Sequence, residues 1–139
     1  MIATTIEQSK KLIELGIDVN TADMTYNAIV VSGENKMHIN GWTLNVGLYS
    51  AIKDNNFSYR NGYTIPAWSL SALIELMPEH IVINNKISNS LKMDKEEGGI
   101  GFCYFFGAID KVDDIVICDM TPSNAAFEIV CYLLKNKLI

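Results

Sequence analysis

Two prolines bracket the stretch that most constrains this chain. In Ile65-Pro-Ala-Trp-Ser-Leu-Ser-Ala-Leu-Ile-Glu-Leu-Met-Pro78, Leu70, Leu73, Ile74 and Met77 fall at i, i+3, i+4 and i+7, the spacing of one stripe on a helix. Proline is accepted in a first helical turn but not in an interior one, and Pro78 biases Met77 away from helical dihedrals. The spacing therefore predicts a helix of about three turns, closed at both ends. Its start has two readings: Pro66 takes the first helical position, or Ser69 caps a shorter helix with its hydroxyl. Trp68, at the entrance, is read as an anchor of this helix to a sheet rather than a platform for a ligand.

Around this element the period changes twice. Thr4 or Thr5 opens an N-terminal helix, with Glu7 three residues after Thr4 in capping-box position, and Gly16 stops it after Leu12, Ile13 and Leu15. Leu12 to Asn20 has the look of an ankyrin exit, but nothing recurs at the roughly 33-residue period such an array needs. From Asn27 the pattern is that of strands: Ala28 to Ser32, a loop at Gly33, then Met37 to about Leu48 with Trp42, Leu44, Val46 and Leu48 on one parity. Lys53-Asp-Asn-Asn56 is turn chemistry, and Phe57 to Ile65 is extended but broken at Asn61-Gly62.

After Pro78, Ile81, Ile83 and Ile87 alternate with Val82, Asn84 and Lys86, as in a strand with one face toward the core, and Leu91 to Asp94 supplies a shorter partner. Gly98-Gly99 then turns the chain into Ile100 to Ile109, apolar on both parities, and Asp110 to Asp114 turns it into Ile115 to Asp119. Those two strands are expected at the sheet's centre. Thr121-Pro122 opens a last helix with Ala126, Val130, Leu133 and Leu134 on its apolar face. Hairpin-length connections imply antiparallel pairing. The expected architecture is α+β: residues 1–139 as one domain, an antiparallel sheet of about six strands, and N-terminal, central and C-terminal helices.

The blocks Ile65 to Pro78, Lys10-Lys-Leu-Ile-Glu-Leu-Gly16, Thr21-Ala-Asp-Met24 and Ala125 to Asn136 resemble a family of small uncharacterised proteins encoded in gut-bacterial and phage genomes. The resemblance spans most of the chain in short pieces. It implies an intracellular, mobile-element origin and carries no activity or ligand set.

Function is constrained mainly by exclusion. With 49% apolar and 19% charged residues the chain is globular and needs no metal or disulfide to hold it. A net charge of −5 with scattered basic residues argues against nucleic-acid or anionic-membrane surfaces. The opening Met-Ile-Ala-Thr-Thr-Ile-Glu-Gln lacks the basic and apolar regions of a signal peptide, and no apolar run approaches membrane-spanning length, so a cytoplasmic protein is expected. Cys103, Cys118 and Cys131 lie in apolar sequence without Cys-x-x-Cys spacing and are expected as buried, reduced thiols.

No cofactor is expected. Glu97-Gly-Gly-Ile-Gly101 has the glycines of a phosphate loop but no helix after it, and no nucleophile-elbow or triad signature occurs. The leading expectation is a non-catalytic protein-binding or assembly module. The alternative is a small hydrolase or metal-dependent enzyme using His38, His80 and Asp119. A third, weaker reading is an acidic inhibitor of a basic protein surface. For the first, the candidate interface is the flat parity of the Ile100 to Ile109 strand, Gly101, Cys103, Phe105 and Gly107, opposite the bulkier Phe102, Tyr104 and Phe106. Left uncovered, that face would favour a homodimer or a protein partner.

Overall fold

The computed structural model describes residues 3–34, 36–46, 63–107 and 114–139. Its elements run helix, strands, helix, strands, helix, and every strand pair is antiparallel. The α+β class is as the sequence predicts. Among the described residues, however, the strands form sheets of three, two and three strands rather than one sheet of about six. The central helix and Pro78 separate the first group from the other two. The contacts divide the chain into two compact units, Ile2–Ala72 and Leu73–Ile139.

In the first unit, helix α1 spans Ile6–Glu14. Its capping box is Thr5 with Gln8, not Thr4 with Glu7: the Gln8 amide donates to Thr5 Oγ1 at 3.1 Å and the Thr5 amide donates to Gln8 Oε1 at 3.0 Å. Thr4 is used otherwise, since its buried Oγ1 accepts from the Trp68 amide at 3.1 Å and lies 2.8 Å from Ser9 Oγ. At the far end Gly16 sits at φ +88°, so that its amide reaches the Ile13 carbonyl and the Ile17 amide reaches the Leu12 carbonyl, with Ile17 and Leu12 both buried. That is the paired 5→2 and 6→1 closure that left-handed glycine permits.

A 3₁₀ turn, Val19–Thr21, leads into β1, Met24–Gly33, which turns back as β2, Lys36–Val46. Strand β3, Thr64–Ala67, pairs with the first four residues of β1 in the order β2-β1-β3. Pro66 therefore lies in a strand opposite Thr25 and not in a helix. An edge strand tolerates a residue without an N–H. Met24, Ala67 and Ala3 form the core of this face, with Tyr26 and Leu44 packed against it. The parity expected of Trp42, Leu44 and Val46 is present, although Val46 is exposed. Leu48, the Lys53 turn and the extended segment from Phe57 through Asn61-Gly62 fall outside the described residues.

Helix α2, Leu70–Leu76, is about two turns long, and the division between the units falls within it. Of the two readings of its start, Ser69 is the one realised: Ser69 Oγ accepts from the Ala72 amide at 3.2 Å and donates to Asp23 Oδ2, while the Ser69 amide donates to Asp23 Oδ1 at 2.8 Å. Trp68 is buried, its indole donating to Thr21 Oγ1 at 2.9 Å. Leu73 and Met77 are buried, as their stripe requires.

In the second unit the alternating run after Pro78 is not one strand but a hairpin, β4 Val82–Ile83 and β5 Lys86–Ile87. Asn84 and Asn85 turn it with φ of +50° and +63°. Two successive left-handed residues fit a two-residue hairpin, and asparagine is among the side chains that enter that region most readily. Strands β6, Lys92–Glu96, β7, Gly99–Tyr104, and β8, Ile115–Asp119, form the last sheet with β7 in the middle. Ile115 to Asp119 is thus an edge strand, a correction to its expected central place. Helix α3, Pro122–Lys135, is capped by Thr121 with proline in its first turn and packs on β7 and β8.

Candidate protein-binding surface

The ribbon formed by β1 and β2 outruns its sheet. Strand β3 pairs only with Met24 to Asn27, and one more bond, from the Ala28 amide to the Tyr63 carbonyl at 2.8 Å, continues that edge. Beyond it, β1 has β2 as its sole strand neighbour among the described residues. The register assigns the faces of this distal part. Val30 opposite Ile39 and Ser32 opposite Met37 lie on one face, and Val31 opposite His38 on the other.

Both faces are apolar and exposed. Ile29, Val31 and Ile39 each retain 44% exposure and Met37 64%. Glu34 and Lys36, near the turn, are the carboxylate and the ammonium group of the ribbon, so its net fixed charge is zero. The register shifts once: Ala28 faces Trp42 and Val30 faces Ile39, so Asn40 and Gly41 together oppose Ile29. Gly41 takes φ +123°, a value open to glycine and costly for other residues.

The residues singled out from sequence are dispersed. His38 is on exposed β2, its ring lying over Gly33, where an added Cβ would come 3.0 Å from the ring carbon Cδ2. His80 belongs to the second unit. Its Nδ1 donates to the Ser88 carbonyl at 2.9 Å, and its Nε2 stands 3.8 Å from Oε1 of exposed Glu79. Asp119 ends β8 and accepts from the Thr121 amide at 3.3 Å, the role of a turn carboxylate ahead of a helix cap. Among the described residues no group of three His, Cys, Asp or Glu side chains could hold a metal ion.

Of the four residues of the candidate interface, two lie within β7 and two beyond its end. Gly101 and Cys103 are buried in β7, opposite Cys118 and Val116 on β8. The strand stops at Tyr104, so Phe105, half-buried, and Gly107, exposed, lie beyond it. Local bonds replace the ladder there: the Phe106 amide donates to Asp114 Oδ1 at 2.9 Å and the Asn89 amide to the Phe105 carbonyl at 2.7 Å. Residues 108–113 fall outside the described residues, Ile109 among them. Of the cysteines, Cys103 and Cys131 are buried, whereas Cys118 is exposed, contrary to expectation, because it occupies the outward parity of an edge strand.

Two tyrosines are tied by their hydroxyls. Tyr104 donates to the Pro78 carbonyl, and burial pushes its phenol up to about 12. Tyr26 donates to the Thr4 carbonyl at 3.0 Å, its phenol raised by burial and secondarily by the charge of Glu7. Both serve to fasten backbone rather than to exchange protons near neutrality.

The distal ribbon was the feature hardest to single out from sequence. Its signal is the uninterrupted Ile29-Val-Val31, which puts apolar groups on both faces of one strand. Such a run is expected of strands covered on both sides, and here the described residues leave both sides exposed. No helix of the described residues is long and apolar enough to cross a membrane. No family model, curated protein or solved structure matches the chain.

Proposed function

We propose that this protein is a non-catalytic polypeptide-binding or assembly module of the cytoplasm whose contact surface is the distal part of the β1–β2 ribbon. The observation that carries this reading is the exposure of Ile29, Val31, Met37 and Ile39 on the two faces of a ribbon that no described strand flanks beyond Ala28. A two-stranded ribbon is marginal on its own in water, and contiguous apolar surface on a soluble domain commonly marks association. With no net fixed charge, the ribbon would hold a partner by apolar burial and by backbone pairing along β2. That partner is a protein, either a second copy in a two-fold dimer or a different chain; a net charge of −5 disfavours nucleic acid. The exposed Cys118 thiol supports a reducing compartment. A small binding module also fits the mobile-element origin implied by the family resemblance.

The test joins sedimentation velocity over a concentration series to cross-linking through Lys36 in cells expressing the full chain. Wild-type protein is expected to form Lys36 cross-links to a second copy or to another protein. The double variant Met37→Asp with Ile39→Asp is expected to lose them while keeping its circular dichroism. Exposed positions of this kind change stability by only about 0.5 kcal/mol, so loss of contact would not reflect unfolding. A monomer at every concentration with no Lys36 cross-links, or cross-links that survive both aspartates, would overturn the assignment.

A further inference from the structure

We draw no further inference here: the strongest candidate, the face of the β6-β7-β8 sheet on which Val116 and Cys118 are exposed beside buried Cys103 and Gly101, is an unpartnered patch, and nothing in the structure shows what covers it.

Discussion

Lys137 closes α3 with the backbone conformation that Gly16 supplies at the end of α1. It stands at φ +53°, its amide reaching the Leu134 carbonyl while the Leu138 amide reaches the Leu133 carbonyl. The same closure is thus made once with glycine and once with a side chain that the left-handed region disfavours. Lys137→Gly is expected to stabilise the protein by about 0.5–1 kcal/mol, read as a higher urea midpoint at unchanged slope. A lower midpoint would mean that the lysine side chain contributes more than its backbone costs. Tyr104 supplies a second test at this scale. An unfolded tyrosine releases its proton near 10, whereas buried Tyr104 holds its own to about 12. Between those values the unfolded state binds fewer protons, so stability falls as pH rises through that window. Tyr104→Phe should reduce the drop in urea midpoint between about pH 9 and about pH 11, leaving the smaller contribution of Tyr26. Equal drops in the two proteins would show that Tyr104 ionises as freely folded as unfolded.

Among the elements, the β6–β7 turn is under a tight steric demand. Gly99 has φ +138°, and a Cβ there would come within 1.9 Å of the Asp119 carbonyl oxygen, which is backbone and has little freedom to retreat. Gly107 also has positive φ, +68°, but an added Cβ would meet nothing within 4 Å. Gly99→Ala should therefore cost several kcal/mol and Gly107→Ala about 1, the difference coming from the collision and from a φ at Gly99 that lies beyond the left-handed region other residues can enter. Comparable thermal midpoints for the two variants would contradict this ranking. The contrast marks what the sequence could convey. Gly98-Gly99 announces a turn by composition alone, and Thr121-Pro122 announces a helix start, because each signal acts within a few residues. Pro66 was ambiguous because a first helical turn and an edge strand accept the same missing N–H, and only pairing with Thr25 decides between them. Asn84-Asn85 carries turn chemistry, but the alternating pattern of Ile81, Ile83 and Ile87 spans it and suggests one continuous strand.

For the molecule as a whole, the antiparallel α+β class followed from loop lengths, whereas the division of its strands among three sheets did not. Sheet membership is decided by long-range pairing that leaves little trace in local spacing. The candidate site shows the same limit. Ile29-Val-Val31 is visibly a strand, but whether its two faces are covered depends on how far β3 reaches along β1. A surface that is apolar, without net fixed charge and, among the described residues, flanked by an open strand edge also carries a hazard, since one chain can add the edge of another without end. The extra residue at Gly41 acts against this. It breaks the repeat of β2 into Lys36 to Ile39 and Trp42 to Val46, so neither stretch offers a long flat template. Deleting Gly41 would leave Asn40 alone opposite Ile29 and restore one-to-one pairing along the ribbon. Such a variant should keep its strand content and scatter light at concentrations where the wild type stays clear. Equal clarity would assign the resistance to another device. If the variant does scatter light, one glycine sets the valency of the surface, separating a contact that closes on a single partner from one that polymerises.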